Sequence, residues 1–599
     1  MTATDVFDRF HLYSFADRFI IEPRNKTGVL ASDSYLEIDR NLGDFKLQRA
    51  HEHPIPIAEG DVMPIYGIIG IIRLVSGFHL IVIKKAELVG TINDSEVYHV
   101  TESAVIPYSK STLHLTERQK WFQKHFQDMI QLVLATTGFY YSTSYDLTHS
   151  LQWLAENASP NFRQLPMMER ANPRFVWNRH LTAPLSINPE FARYTLPIMH
   201  GFVGIRKCIV RGSSFKLAII SRRSIHRAGV RFYMRGTDLT GNSANFVESE
   251  QIVEFDRGQD PLQRTLTSML QIRGSIPLFW SQKPNLRWQP LPCLRPADDQ
   301  LDAFVRHMKL QQLNYGGKHV IVNLVNTKGR EKGIGGELER VTVQANLDFV
   351  RYVGFDFHKE CKSLNWDRLH ILQAMLDKDI LQFGFFYSHP GDPSRNRYQT
   401  GYIRTNCMDC LDRTNVVQAM FAKDSLRHQL IYLGIIDPST QSLEEVPDFA
   451  YLFKNLWADN GDECSKQYAG TGALKTDFTR VGKRTVNGAM ADGVNAVTRY
   501  FKNNFLDGYR QDAIDLFLGN VIVDPANLPT TFEESVFNFN KNGGAIVGAI
   551  FSAAMMMLCV LVSENITATL FWLLVFIAFM CFIYINGEEF VCRPRLKRD

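Results

Sequence analysis

The chain has 599 residues, too many for one hydrophobic core, so two or more domains are expected. Hydrophobic content of 45% and charged content of 21% suit a globular protein with some membrane content, and a net charge of +4 without a basic tract excludes a general nucleic-acid binder. Nine cysteines, an odd number without framework spacing, point to a reducing compartment. The stretch from Met1 to Phe10 lacks a basic region followed by an apolar run, so no signal peptide is expected, and the sequons at Asn25, Asn93 and Asn157 would not meet the glycosylation machinery.

Residues 1–184 read as a strand-rich domain. Tyr66 to Val75 and Phe78 to Ile83 are short apolar runs joined by a hairpin break at Ser76-Gly77. A helix follows. Thr116 is its N-cap, Glu117 sits in the first turn, and Trp121, Phe122, His125, Phe126, Met129, Ile130 and Val133 recur at helical spacing to give one buried face. His125 there reads as a packed core histidine rather than a ligand. No catalytic constellation stands in this domain. Its expected role is to pack on the catalytic unit, with adaptor or lipid-surface binding as the alternative.

From 185 to 520 strand-like and helix-like segments alternate, as in an α/β domain. Lys216 to Ile220 and His319 to Val325 are short, apolar and β-branched, like buried strands. Asp367 to Leu376 reads as an amphipathic helix. Arg222, Arg223, Arg227 and Arg231 form a cluster that either lines a site or pairs with carboxylates.

Tyr402 to Arg404 is a strand-like lead-in, and Val416 to Lys423 a helical run. Between them Cys407 and Arg413 stand six positions apart, with Thr414 after the arginine. This is the Cys-x5-Arg-Thr spacing of cysteine-dependent phosphatases. A loop of this length curls so that backbone N–H groups of Met408 to Arg413, Cys410 and Leu411 among them, form an anion cradle at a helix N-terminus. Arg413 closes the cradle with a planar fork that matches two phosphate oxygens. Cys407 is held as a thiolate nucleophile, and Thr414 donates its hydroxyl to the sulfur or the leaving group. The loop has no glycine and two carboxylates, Asp409 and Asp412. A protonated carboxyl there can give a proton to the departing alkoxide, and the likeness to lipid phosphatases with carboxylates in this loop makes Asp412, directly before Arg413, the preferred general acid and Asp409 the runner-up. Zinc and redox readings of Cys407-x-x-Cys410 are weaker, because the other soluble cysteines are single and scattered.

Gly470 to Thr476 imitates a nucleotide P-loop, but Leu474 stands where glycine should precede Lys475. Lys475, Arg480, Lys483 and Arg484 read instead as a cationic flap for an anionic head group on an anionic membrane, against a solvated basic face. Residues 521–542, with Pro525 and Pro529, form a linker. Gly543 to Val562 and Ile566 to Ile585 are two apolar runs, each long enough to span a bilayer and separated by only Ser563, Glu564 and Asn565, so a transmembrane helical hairpin is expected at 543–585. Lys541 before the hairpin and Arg593, Arg595, Lys597 and Arg598 in the tail, 586–599, favour cytosolic N- and C-termini. Lys597 with Arg595 is similar to a dilysine retrieval signal, departing from it at the arginine.

The string Arg404-Thr405-Asn406-Cys407-Met408-Asp409-Cys410-Leu411-Asp412-Arg413-Thr414-Asn415 resembles the signature of the Sac-domain phosphoinositide phosphatases. Phe175 to Asn178, Arg273 to Pro277, Phe355 to Cys361, Trp457 to Asn460 and Gln467 to Arg480 match the family in register. The likeness extends over nearly the whole chain and is strongest to the family's integral-membrane member of the endoplasmic reticulum and Golgi. It implies a strand-rich domain packed on an α/β phosphatase domain, followed by the hairpin. It implies hydrolysis of phosphatidylinositol 4-phosphate, with the 3-phosphate and 3,5-bisphosphate also turned over, through a phosphocysteine and with neither metal nor cofactor. It also implies residence in the endoplasmic reticulum membrane with cycling to the Golgi, and as partners the coat proteins that read the tail and membrane contact-site proteins. The rival readings are a phosphotyrosine phosphatase, a silent membrane tether or lipid-binding scaffold, and a redox-controlled enzyme in which Cys410 traps Cys407 as a disulfide.

Overall fold

The computed structural model describes residues 5–529 and 543–596, apart from 57–60, 158, 257–263, 363–364, 390, 441, 482–484 and 564–565. Five antiparallel strands, β1 (Arg9–Ser14), β2 (Arg18–Arg24), β3 (Ser34–Asp39), β4 (Phe45–Arg49) and β5 (Asp61–Ile65), make a small sheet in the order β4-β3-β2-β1-β5. β6 (Gly67–Leu74) and β7 (Gly77–Ile92) form the hairpin expected across Ser76-Gly77, with Leu74 opposite Gly77. β7 runs well past Ile83, because its outer half pairs with β8 (Ser95–Pro107).

The sheet continues antiparallel through β9 (Phe139–Tyr141), β10 (Met199–Val210), β11 (Ser213–Arg223), β12 (Val247–Asp256) and β13 (Arg264–Arg273). Short β14 (Trp280–Ser281) and β15 (Cys293–Leu294) pair separately. β16 (Lys318–Asn323), β17 (Val350–Gly354) and β19 (Gly401–Asn406) then join in parallel to β13, and β18 (Phe386–Ser388) pairs antiparallel with it. The result is one twelve-stranded sheet ordered β17-β16-β19-β13-β12-β11-β10-β9-β8-β7-β6, with β18 off this path. The boundary expected at residue 184 falls inside it, since Met199 of β10 pairs with Tyr140 of β9. β19 is buried at all six positions, as a central parallel strand covered on both faces must be.

The main helices are α1 (Glu117–Leu134), α2 (Ala297–Tyr315), α3 (Lys332–Ala345), α4 (Leu369–Phe383), α5 (Asp412–Tyr432), α6 (Pro447–Ala469), α7 (Val486–Phe505), α8 (Asp507–Phe517), α9 (Gly544–Leu558) and α10 (Ile566–Ile585). Thr116 caps α1 through a reciprocal box with Gln119. Phe122, Phe126, Met129, Ile130 and Val133 form the expected buried face, while Trp121 is 42% exposed and stacks on His125 at 4.7 Å. Burial lowers the pKa of His125, which packs edge-on against Tyr509 of α8. Val523 and Leu528 join the same core, so the beginning of the expected linker is anchored on α1; residues 530–542 lie outside the described part.

α9, continued by a further turn as far as Val562, and α10 give apolar helices of 19 and 20 residues with mean hydropathy 2.6, long enough to cross a membrane. They pack as a hairpin, with Phe551 edge-on to Trp572. The contact runs along the small residues Ala545, Gly548, Ala549 and Ser552; a Cβ on Gly548 would meet the Phe579 ring at 2.4 Å. Beyond α10 the chain returns to the soluble part. Cys592 N–H donates to the Asn504 carbonyl at 2.7 Å, Tyr233 Oη donates to the Cys592 carbonyl, and the Asp512 carboxylate accepts the N–H groups of Arg595 and Leu596 at 2.8 and 3.0 Å.

Candidate active site

The loop Cys407–Leu411 leaves the C-terminal end of β19 and enters the first turn of α5, so its cleft receives the positive end of a 21-residue helix. Buried side chains fix its entrance. Arg404 donates to His307 Nε2 at 2.9 Å, to Asn406 Oδ1 at 3.1 Å and to the Ser275 carbonyl at 2.7 Å; Asn406 donates to Asn323 at 2.7 Å. Cys410 stands in left-handed backbone, φ +53°, a conformation that a β-carbon disfavours and that persists only where its surroundings enforce it. Its Sγ donates to the Gly274 carbonyl at 2.8 Å.

Cys407 is buried at the bottom of a cleft of about 220 Å³. Its sulfur accepts the Cys410 N–H at 3.0 Å and the Thr414 hydroxyl at 3.4 Å. Burial by itself raises a thiol pKa. Here hydrogen bonding from Cys410, the Arg413 charge and the Thr414 hydroxyl outweigh it and lower the Cys407 pKa, which favours the thiolate. Cys410 moves the opposite way, pushed up by burial and by the neighbouring sulfur.

The other residues read from the sequence are placed unevenly. Arg413 lines the cleft, but its fork is engaged: Nη1 and Nη2 donate to Glu331 at 3.0 and 2.9 Å, and Nη1 also reaches the Leu324 carbonyl at 3.0 Å. Asp412 stands on the cleft wall, with Oδ1 accepting the Leu474 N–H at 2.7 Å and Oδ2 3.5 Å from Arg499. Lys475 lines the same wall. Asp409 is a correction: Arg231 reaches both its oxygens at 3.0 and 2.7 Å and Arg235 donates at 2.6 Å, so although burial pushes its pKa up, the two arginines hold the carboxyl far below the usual range. A carboxylate held that firmly is a strut and a poor proton donor.

Met408, Cys410 and Leu411 were expected to act through their backbone, and their side chains are turned into the protein. All three are buried in the protein, Met408 among Ile276, Phe304 and Ile321 and Leu411 against Tyr468, which leaves them only their backbone to offer a phosphate. Arg480 points away from the cleft, since Asp459, Asp462 and Asn455 take its guanidinium at 2.7, 3.2 and 2.8 Å. Lys483 lies outside the described residues.

The SacI homology domain family matches residues 66–362. The phosphatidylinositol-3-phosphatase SAC1-B of Danio rerio is 43% identical over 595 residues, covering 98% of each chain. The chain belongs to the SacI homology family. The phosphoinositide phosphatase SAC8 of Arabidopsis thaliana is 34% identical, over 99% of this chain and 97% of its own. The phosphatidylinositol-3-phosphatase SAC1 of Saccharomyces cerevisiae is 33% identical, over 85% and 80%.

Several residues that build this Sac site were not singled out in the sequence. Arg235 donates to the Met408 carbonyl at 2.7 Å as well as to Asp409. Arg499 joins Asp412 to the flap, donating to the Gly472 carbonyl at 2.8 Å and to Thr471 at 3.0 Å. Glu331 holds Arg413, and His358, its pKa lowered by burial and then by Arg413, lines the cleft. A cationic cluster around Arg231 was visible, but of its four members only Arg231 reaches the loop. Arg222 is consumed by Glu248 and Glu250 at 3.0 and 2.7 Å, Arg223 donates to the Gly229 carbonyl, and Arg227 to the carbonyl of Arg235.

Proposed function

We propose that this protein hydrolyses a phosphate monoester on the head group of a phosphatidylinositol lipid. The observation that carries the reading is the Cys407 sulfur, accepting the Cys410 N–H and the Thr414 hydroxyl beside Arg413, at the base of a cleft between a parallel strand and a helix N-terminus in a Sac-family chain. The thiolate attacks phosphorus in line. The bond from phosphorus to the inositol oxygen breaks as the bond to sulfur forms, and Asp412 gives a proton to the departing oxygen. Water then attacks the phosphocysteine. Asp412 takes its proton, the sulfur–phosphorus bond breaks, and inorganic phosphate and the Cys407 thiolate are released. Backbone N–H groups of residues 408–413 and the Arg413 fork hold the equatorial oxygens. For this, Arg413 exchanges at least one of its Glu331 contacts for phosphate.

The 4-phosphate is the proposed principal substrate, with the 3-phosphate and 3,5-bisphosphate as further ones. The names of the relatives, phosphatidylinositol-3-phosphatase and phosphoinositide phosphatase, support the substrate class. The two apolar helices support action at a membrane, which we place in the endoplasmic reticulum with cycling to the Golgi and with both termini cytosolic; the basic tail is offered to coat proteins, and contact-site proteins are further partners. The test is a panel of phosphoinositide isomers and phosphotyrosyl peptides given to the full chain in vesicles. Turnover of the lipid monophosphates but not the peptides is expected. Turnover of peptides alone identifies a protein phosphatase instead.

A further inference from the structure

Helix α7 carries Val486, Met490, Val494, Val497, Phe501 and Phe505 on its surface, from 77% exposed at Val486 to 38% at Phe505. At ~100° per residue these six fall within one arc of about 100°, the width of a helical face made to be buried. The opposite face is already in use. Asp492 accepts the Lys475 N–H on both oxygens at 3.0 Å, Arg499 holds Asp412 and the flap, and Asn503 accepts from Arg231 at 3.2 Å. One helix thus builds the cleft wall with its polar side and turns a continuous apolar side outward, a patch that soluble surfaces rarely leave open.

The C-terminal end of α7 is joined to the membrane hairpin. The Tyr500 ring stacks on Trp288 at 5.4 Å, and its hydroxyl donates to the Leu286 carbonyl at 2.7 Å. Leu286 N–H donates to Asn504 Oδ1 at 3.1 Å, and the next residue, Arg287, lies over the Tyr584 ring at 5.7 Å. Tyr584 is in the last turn of α10, where the apolar run ends at Ile585 and an aromatic ring marks the hydrocarbon boundary. Cys592, just past that boundary, donates to the Asn504 carbonyl. Trp288 is itself 59% exposed, extending the apolar face of α7 towards the hairpin.

We infer that α7 is an interfacial helix, its six apolar side chains seated among the acyl chains of the bilayer that the hairpin occupies. Its polar face then holds the Asp412 and Lys475 wall of the cleft against that same leaflet. The occupant is lipid because the face is continuous with the point where the chain leaves hydrocarbon, and because an amphipathic helix of 20 residues lying in the plane matches interfacial geometry.

The test uses the full chain reconstituted in phosphatidylcholine vesicles, with an environment-sensitive fluorescent amino acid incorporated at position 494 or, as an aqueous control, at position 113, where Leu113 is 92% exposed. Lipids spin-labelled near the glycerol should quench position 494 by about half and position 113 by less than about a tenth. Equal quenching at the two positions overturns the inference, whether water, residues 530–542 or a second copy of the chain covers the face. The kinetic arm rests on the phosphatase reading. The double variant Val494→Glu, Val497→Glu should turn over vesicle phosphoinositide about tenfold more slowly and a water-soluble dibutanoyl phosphoinositide within about twofold of wild type. An equal effect on both substrates also overturns it. A wild-type protein inactive on both sinks the phosphatase reading and leaves the quenching result to judge α7.

Discussion

Asp409 and Asp412 stand three residues apart in one loop, and their surroundings give them different work. Asp409→Asn would leave Arg235, whose side chain is 2% exposed, without its countercharge. Removing one partner of a buried pair costs about 3–5 kcal/mol. Asp409 keeps 21% exposure, and solvent screening reduces this to about 2–3 kcal/mol. With unfolding entropy near ~2.1 cal/mol/K per residue over a cooperative unit of roughly 500 residues, the melting temperature should fall by about 2–3 °C. Because the arginines depress the Asp409 pKa below its unfolded value, this stabilisation is present above the unfolded carboxylate range and is lost only as pH falls into strong acid, so the difference should stay constant from about pH 6 to 8. Asp412→Asn removes only the 3.5 Å contact to Arg499, which Thr471, Ser465 and the Gly472 carbonyl also hold, so it should lower the melting temperature less than Asp409→Asn does. The two separate again on leaving groups. Asp412→Asn should lose about 10²- to 10⁴-fold on a phosphoinositide, whose alkoxide needs a proton, and far less on an aryl phosphate with an acidic leaving group. Asp409→Asn should lose the same factor on both. An Asp409→Asn protein that melts with wild type and recovers on the aryl phosphate would refute this division of roles.

Three further outcomes follow from the same geometry. Alkylation of Cys407 by iodoacetamide should rise with pH around a midpoint below the ordinary thiol range, and the acid limb of kcat/KM should track it; a midpoint within that range would contradict the low pKa. The Cys410 sulfur sits against Cys407, 3.4 Å from its backbone N and 3.2 Å from its carbonyl oxygen, so mild peroxide should inactivate wild type reversibly, whereas Cys410→Ser should lose recovery on reduction; full recovery in the variant counts against a protective disulfide. Gly508→Ala would place a Cβ 2.5 Å from the Arg593 carbonyl carbon, so it should release the tail and speed tryptic cleavage after Arg595 by about tenfold; unchanged cleavage means that the tail is already free.

Much of the site was legible because its chemistry is local. Cys407, Arg413 and Thr414 are placed by one strand, one loop and one helix start, and each of these carries its own signal in hydrophobicity and spacing. The ion pairs that separate Asp409 from Asp412 were not legible, since Arg231 and Arg235 come from 178 and 174 residues away and nothing in local pattern ties an arginine to a particular carboxylate. Arg480 shows the converse. Four cations within ten residues read as a flap, yet carboxylates of α6 take Arg480 out of it. In the fold, the β6–β7 hairpin and the cap of α1 were readable from turn and capping residues. The sheet that runs across residue 184 was not readable, because pairing of β9 with β10 is a long-range event that periodicity does not record.

The central claim is that the Cys407 thiolate forms a covalent bond to phosphorus taken from a phosphoinositide. Phosphate release from phosphatidylinositol 4-phosphate vesicles by full-length wild type and Cys407→Ser tests it most directly, with matched melting curves to show that both are folded. The account predicts release by wild type and none above background by the variant. Release by Cys407→Ser at the wild-type rate would contradict it.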